Sequence, residues 1–178
     1  RRDIDLLASW PAYSEPYGSF GFTFVGLDPS GMDTLYQQRH AQPRRLSLVA
    51  DHRSVKSIGY LALLDIDWER GQSGNMGIRV HPSWCNNGVG TAMLALIRDW
   101  WFASGMTGLR LDVASSNTRA LRCYEKAGFV RCGEFWRPAP DLRGADLSDP
   151  RWSFLHGCVR LTGDVPELRF LWMEMVPG

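Results

Sequence analysis

Alternating apolar and polar residues divide the chain into strand-like and helix-like segments. Strand residues point to opposite faces in turn, whereas the apolar residues of a helix recur every three or four positions. The alternation predicts strands over residues 19–25, 46–50, 57–68, 76–80, 109–113, 129–136 and 168–176. The helical spacing predicts helices over residues 3–10, 91–102 and 117–128.

The order of these segments predicts an α/β fold with a mixed sheet. Only the polar turn Asp51–Ser54 separates the second and third strands, which indicates an antiparallel hairpin. From Met76 to Val113 the chain reads strand, glycine turn, helix, strand, and the two strands of such a βαβ unit run parallel. We therefore expect an antiparallel first half joined to a parallel crossover.

Length and composition indicate one globular domain. The chain has 178 residues, of which 44% are hydrophobic and 22% charged, and it contains neither a repeat nor a long charge run. We assign residues 1–178 to a single domain. The chain begins at Arg1 without a methionine, which leaves room for a first strand or a targeting segment upstream.

Charge and cysteine usage narrow the functional classes. A formal net charge of +1 predicts no strong nonspecific attraction to nucleic acid. The four cysteines lack C-x-x-C spacing and the four histidines lie far apart, so we expect no metal site. Scattered thiols and the lack of a long apolar run favour a cytoplasmic protein with no membrane partner.

A glycine turn opens the helix after the fourth strand. It runs from Asn86 to Thr91, with glycines at positions 88 and 90. Free backbone N–H groups at a helix start attract anions, and glycine lets a phosphate approach closely. A tight connection that merely needs small residues is the alternative interpretation.

The helix after the next strand carries polar residues along one face. Asn117 and Tyr124 are two turns apart on it, about 10 Å along the axis, with Ala120 between them. A long, thin ligand could lie along this face. Asn117 is also suited to cap the helix, and Gly128 to end it.

With these two motifs in order, the stretch from Leu46 to Trp136 resembles the GNAT family of acetyltransferases. The family pattern Asn-x-x-Ala-x-x-x-Tyr-x-Lys-x-Gly-Phe matches residues 117–129. The resemblance implies a sheet with splayed parallel strands and acetyl-CoA as donor of an acetyl group to an amine acceptor. It implies CoA contacts from Ile78, Arg79 and Val80, from Asn87, Gly88, Val89, Gly90 and Thr91, and from Asn117, Ala120 and Lys126.

Tyr124 is then the candidate general acid. In the family this tyrosine lies near the sulfur of CoA and protonates the leaving thiolate. A tyrosine hydroxyl has an ordinary pKa of about 10, so it carries its proton at neutral pH. A core tyrosine bonded to a backbone carbonyl is the structural alternative.

The chain departs from the family at the base and at the phosphate turn. Many relatives carry a glutamate base where this chain has Asn75, and a basic residue before the first glycine where it has asparagine. Asp65 and Asp67 alternate onto one predicted strand face and are our candidate catalytic bases. His81 is a second candidate and Glu134 a weaker one, whereas Cys85 and Cys123 lack a histidine partner.

Other features bear on the acceptor. The segment 137–167, rich in Pro, Gly, Asp and Arg, is a packed insertion that either borders the acceptor site or covers a sheet edge, and Ser148-Asp149-Pro150 resembles a helix start. Aromatic residues either line an acceptor pocket or fill the sheet faces: Phe20, Phe22, Phe24, Trp136 and Trp152. Trp100 and Trp101 are expected in the core.

The sequence therefore predicts an acetyl-CoA-dependent N-acetyltransferase acting on a primary amine of a small molecule or of a protein N-terminus. We expect direct attack of the amine on the thioester and a monomer or homodimer. Transfer or decarboxylation of another acyl-CoA is an alternative. A noncatalytic acyl-CoA sensor that has lost its base is a third interpretation.

Overall fold

The computed structural model describes residues 2–18 and 28–177. The helices are α1 (Arg2–Ala8), α2 (Pro29–His40), α3 (Val89–Ala103) and α4 (Thr118–Ala127). The strands are β1 (Leu46–His52), β2 (Val55–Asp67), β3 (Gln72–Val80), β4 (Gly108–Ala114), β5 (Val130–Pro138), β6 (Val159–Thr162) and β7 (Val165–Met175). The predicted strand at 19–25, with Phe20, Phe22 and Phe24, lies outside the described residues.

The described strands form one mixed sheet, which confirms the predicted fold class. Their order is β1-β2-β3-β4-β7-β5, and β6 pairs with β7. Neighbouring strands run antiparallel except β3 and β4, which are parallel. This parallel pair has only two rungs, Gln72 opposite Gly108 and Ser73 opposite Leu109. Beyond them the two strands diverge, and the sheet opens between their carboxyl ends.

Helices cover the sheet from two sides. α3 and α4 pack on the main core, where Leu63, Leu94, Leu111 and Met173 are fully buried. On the other face α1 and α2 pack on β2 through a smaller cluster. The two adjacent tryptophans of α3 differ in burial. Trp101 lies in the core as predicted, whereas Trp100 is 49% exposed, so the prediction of a core position was wrong for Trp100.

The alternation of side chains between the two faces of β2 is interrupted near the end of the strand. Leu61 and Leu63 face the main core, and strict alternation would add Asp65 to that face. Instead Asp65 adopts a left-handed conformation with φ 52°, and Ile66 enters the core. The shared Asp65–Asp67 face was therefore predicted wrongly. Aspartate tolerates this conformation better than most residues, and one such residue shifts every later side chain by one position.

The predicted insertion, residues 137–167, is packed against the rest of the protein. Asp149 caps a short 3₁₀ helix, Pro150–Leu155, and accepts a hydrogen bond from the backbone N–H of Arg151 at 2.9 Å. Leu155 anchors this turn in the interior at 2% exposure. β6 follows and pairs with the first residues of β7. These contacts show a packed insertion, and its first residue, Arg137, also lines the cleft described below.

Candidate active site

The divergence of β3 and β4 opens a cleft of about 820 Å³. Its walls come from β3, the start of α3, β4 and α4. Beyond the last backbone pair of β3 and β4, the side chain of Asn75 connects the two strands. Its Oδ1 accepts from the N–H of Met76 at 2.7 Å and from the N–H of Asp112 at 3.2 Å, so one amide closes the sheet at the apex of the cleft.

The amino-terminal end of α3 faces this cleft and is built to receive an anion. Its N-cap is Gly88, at φ 78°, and no side chain caps the helix. The free N–H groups of the first turn therefore remain available to a ligand. At Gly90 an added Cβ would lie 3.0 Å from the Sγ of Cys123, so glycine keeps the turn close to α4. Both glycines and Thr91 line the cleft.

Cations reach the same cleft from α4. Arg119, Arg122 and Lys126 all line it. The turn itself has no basic residue, and of these three cations only Lys126 was predicted from the sequence. The two arginines supply the missing positive charge because they lie one helical turn or less from the predicted ligand face.

Where β3 has diverged from β4, the side of β3 that faces the cleft carries backbone groups that pair with no strand. Ile78 and Val80 line it, whereas the side chain of Arg79 is buried between the rings of Trp10 and Tyr13, at 5.3 and 5.6 Å. Hydrogen-bonding direction alternates along a strand, so the backbone groups of residues 78 and 80 point the same way. The backbone N–H and carbonyl of Val80 both form hydrogen bonds with the hydroxyl of Tyr13.

Tyr13 belongs to a strap, residues 10–17, that crosses the cleft mouth. Its hydroxyl donates to the carbonyl of Val80 at 2.7 Å and accepts from the Val80 N–H at 3.3 Å. On the other side the guanidinium of Arg119 stacks on the rings of Tyr13 and Tyr17, at 4.8 and 4.1 Å. The strap thus connects the β3 edge to the start of α4. Sequence reasoning missed it, since nothing in its pattern predicts a contact with β3.

The α4 face has the predicted order of side chains. Asn117 caps the helix by accepting from the N–H of Ala120 at 3.2 Å, and Gly128 ends it at φ 103°. Asn117, Ala120 and Tyr124 all line the cleft.

Tyr124 combines a buried ring with a free hydroxyl. The residue is 5% exposed and packs edge-on against Phe129, with ring centroids 5.9 Å apart. The hydroxyl makes no hydrogen bond to any residue that the structure describes, which removes the alternative of a carbonyl-bonded core tyrosine. Burial, and then the nearby Cys123 and Asp112, raise the pKa of Tyr124 well above its ordinary value. The hydroxyl is therefore fully protonated near neutral pH.

An acidic residue that the sequence analysis missed lies in the cleft. Asp112 projects from β4, and its side chain is 9% exposed. Its Oδ2 accepts from Nδ2 of Asn75 at 2.8 Å, and its Oδ1 lies 3.0 Å from Nη2 of Arg137. The available signal was alternation: residue 112 must face away from the core side chains Leu111 and Val113.

The bases predicted from sequence lie elsewhere. Neither Asp65 nor Asp67 lines the cleft, and Asp67 accepts instead from the N–H of Arg70 at 3.0 Å. His81 caps a turn through Nδ1, which accepts from the N–H of Ser83 at 3.2 Å, and it also lies outside the lining. Glu134 is exposed and lies 4.0 Å from Arg169. None of the four predicted bases therefore lies in the cleft with Tyr124.

The remaining predicted contacts divide between the lining and its surroundings. Asn87 and Val89 of the turn are not part of the lining, although Asn86 is. Cys85 and Cys123 line the cleft, but burial raises the pKa of both thiols, which disfavours the nucleophilic thiolate. The aromatic rings of Trp136 and Trp152 lie outside the lining. The aromatic residues that do line the cleft are Tyr13, Tyr17, Tyr124 and Phe170.

Residues 2–18 and 28–177 lack two other features. They contain no cluster of three or more His, Cys, Asp or Glu side chains placed to hold a metal ion. They contain no helix of the length and hydropathy needed to cross a membrane.

Curated proteins with related sequences include aminoglycoside acetyltransferases. The chain is 36% identical over 86 residues to an aminoglycoside N(6')-acetyltransferase type 1 of Klebsiella pneumoniae, a match that covers 44% of this chain and 43% of that protein. The chain thus matches less than half the length of this relative.

Solved structures of similar fold include spermidine N-acetyltransferases. A SpeG chimera from Vibrio cholerae and hSSAT superposes with a TM-score of 0.67 at 15% identity, over 98% of this chain and 91% of that one. The Vibrio cholerae enzyme in complex with CoA and spermine gives a TM-score of 0.61 at 17% identity, over 83% and 74%. These likenesses confirm the fold.

A family model decides the relationship. The model of the acetyltransferase (GNAT) family matches residues 10–129, which is more than half of the chain and includes the strap, Tyr124 and the cleft lining apart from Arg137 and Phe170. The chain therefore belongs to the GNAT family of acetyltransferases.

Proposed function

We propose that the protein transfers an acetyl group from acetyl-CoA to a primary amine. The observation that carries the proposal is the free hydroxyl of Tyr124 in the cleft, beside a helix start with uncapped N–H groups. One end of the cleft suits an anion, and the other holds a proton donor that has no hydrogen-bond partner among the described residues. Acetyl-CoA has a pyrophosphate at one end and a thioester at the other.

The cleft residues fit CoA by charge and by shape. The N–H groups of the first turn of α3, helped by Arg119, Arg122 and Lys126, are suited to the pyrophosphate. Pantetheine has amide groups that pair with a strand edge, and the outward groups of Ile78 and Val80 offer one. The thioester would then lie beside Tyr124. Gly90 supports this fit, because a Cβ there would push against the side chain of Cys123.

The reaction requires the nitrogen to lose two protons. We assign the first to Asp112, the carboxylate that lines the described cleft and whose charge acts on Tyr124. The free amine attacks the thioester carbonyl carbon and the C–S bond breaks. Tyr124 gives its proton to the departing thiolate and recovers one from the nitrogen, so the amide and free CoA leave and Asp112 returns its proton to solvent. In this account Asp112 replaces Asp65 and Asp67 as the base.

Asp112 also bears on the alternative functions. The proposal of a noncatalytic sensor rested on the missing glutamate at Asn75. Here the amide of Asn75 holds a carboxylate in the cleft instead, at 2.8 Å, and this arrangement favours an enzyme. The proposed acceptor is an amine of a small molecule or a protein N-terminus. The curated relatives are named for aminoglycosides and the structural ones for spermidine.

Initial-rate measurements of CoA thiol release test the proposal. The protein is incubated with acetyl-CoA and a panel of amines, and the acetylated product is identified by mass. We expect equal amounts of CoA and acetylated amine, and a kcat at least ~100-fold lower for Tyr124→Phe, the usual worth of general acid catalysis. Tyr36→Phe is the matched control, because that ring stacks on His40 of α2 and lies outside the cleft. Thiol release without an acetylated amine would contradict the proposal.

We also propose that the protein works in the cytoplasm. All four of its cysteines are free thiols, and unpaired cysteines persist best in a reducing compartment.

A further inference from the structure

The acceptor side of the cleft has an unusual charge for an enzyme related to polycation acetyltransferases. Asp112 supplies the acidic charge of the described lining. Three of the four basic side chains of that lining are assigned above to the pyrophosphate, and the fourth, Arg137, lies beside Asp112 on the acceptor side. Each carboxylate oxygen of Asp112 already has one partner, Asn75 or Arg137, so this residue can serve one ammonium group but not several. A spermidine or aminoglycoside carries several ammonium groups, and each needs an anionic or acceptor-rich neighbour.

The strap and its continuation do not supply the missing acids. The acidic residues between α1 and α2 are Glu15 and Asp28. Glu15 lies outside the lining. Asp28 caps α2, and its Oδ1 accepts a hydrogen bond from the N–H of Gly31 at 2.7 Å. Residues 19–27 contain no Asp or Glu. The strap residues that line the cleft, Tyr13 and Tyr17, are therefore aromatic and uncharged.

Arg137 is held in a fixed position at the outer end of the acceptor side. Its guanidinium stacks on Phe170 with Cζ 4.0 Å from the ring centroid, and it lies 5.2 Å from the centroid of Phe135. Nη2 faces Asp112, and the side chain is 45% exposed. A guanidinium has five N–H donors in a planar fork, so most of them remain for a ligand. Stacking fixes the plane of that fork in advance.

The carboxylate of Asp112 and the guanidinium of Arg137 differ in burial. Asp112 is 9% exposed and near Tyr124, whereas Arg137 is 45% exposed and nearer to solvent. A ligand that enters from the open side meets the cation first and the carboxylate next. The opposite charges are 3.0 Å apart, which is close to the separation of the amino and carboxylate groups in one amino acid.

We propose that the acceptor is an amine with a carboxylate beside the reacting nitrogen, an α-amino acid or a close analogue. Its carboxylate binds to the fork of Arg137, and its nitrogen reaches Asp112 and the thioester. The proposal rests on the N-acetyltransferase function above. It makes Arg137 the residue that determines specificity and distinguishes this chain from relatives named for polycationic acceptors.

Matched amine pairs that differ only in the carboxylate test this inference in the unmodified protein. Suitable pairs are phenylalanine with phenethylamine, and arginine with agmatine, with spermidine and kanamycin as polycations. We expect kcat/KM to be about 10–100-fold higher for the carboxylate member, the usual worth of a charge-assisted bidentate contact. Equal or better values for the decarboxylated amines or for the polycations would overturn the inference and leave the acetyltransferase function intact.

A pair of arginine variants locates the effect. Arg137→Gln should raise KM for the carboxylate substrates and remove their advantage over the plain amines. Arg160→Gln is the control, since Arg160 also stacks on an aromatic ring, that of Trp136 at 4.4 Å, and pairs with a carboxylate, that of Glu167 at 2.7 Å, outside the cleft. Retention of the advantage in Arg137→Gln would overturn the role of Arg137. Failure of every amine to be acetylated would refute the proposed function itself.

Discussion

Removal of the Tyr13 hydroxyl should tighten the binding of CoA. The hydroxyl occupies both backbone groups of Val80, with hydrogen bonds of 2.7 and 3.3 Å, and these groups are the ones assigned to pantetheine. A ligand that pairs with Val80 must first displace Tyr13. Each such hydrogen bond is worth a net ~0.5–1.5 kcal/mol. The longer one contributes less, so the displacement costs about 1–2 kcal/mol, which corresponds to roughly 5–30-fold in Kd.

Isothermal titration of CoA into the Tyr13→Phe variant measures this effect. The phenyl ring keeps its stacking on Arg119 and Arg79, so the strap stays anchored while its hydrogen bonds are lost. Tyr17→Phe is the matched control, because it removes a hydroxyl from the neighbouring cleft residue, which stacks on Arg119 at 4.1 Å. We expect a lower Kd for the first variant alone. An unchanged or higher Kd would refute the competition between Tyr13 and pantetheine.

Further predictions concern the base, the acid, the phosphate turn and the core. Asp112→Asn should lower kcat about 100-fold with little change in the KM for acetyl-CoA, in initial-rate assays; an unchanged kcat would exclude Asp112 as base. Because the pKa of Tyr124 is raised, its acid form persists above pH ~10, so kcat should not fall between pH 7 and 9.5. The folded state also holds that proton more tightly than the unfolded chain, so Tyr124 should lower stability only above pH ~10, a loss that Tyr124→Phe removes, whereas the thiols of Cys85 and Cys123, whose pKa values are also raised, should begin to do so near pH ~9. Gly88→Ala and Gly105→Ala should lose similar stability, ~1–2 kcal/mol in chemical denaturation, since both positions have positive φ and open space, but only the first should weaken CoA binding. Leu111→Ala should cost ~2–5 kcal/mol in the same assay, because the side chain is fully buried.

The cofactor side of the cleft was predictable because its determinants are local. Gly88 at a helix start, Asn117 as a cap and Gly128 as a helix end each follow from a few neighbouring residues, and the structure has them in those positions. The parallel crossover follows from the order of the segments. The face of α4 then brings Asn117 and Tyr124 into the cleft by helical periodicity alone.

The acceptor side was not predictable because its determinants are distant in sequence. Asp112 and Arg137 meet only because β7 lies between β4 and β5 in the sheet, an order that no local pattern reveals. Asp65 was assigned to the wrong face because a single left-handed residue broke the alternation of β2. The start of α2 had a visible signal in Asp28 followed by Pro29, a cap and first-turn pair that the sequence analysis passed over.

A crystal structure of the protein with CoA tests the central claim most directly, namely that the cleft between β3 and β4 holds CoA with its sulfur at Tyr124. The account predicts the pyrophosphate on the N–H groups at the start of α3. It predicts pantetheine paired with Val80 in place of Tyr13, and the sulfur within hydrogen-bonding distance of the Tyr124 hydroxyl. CoA bound outside this cleft, or with its sulfur remote from Tyr124, would contradict the account.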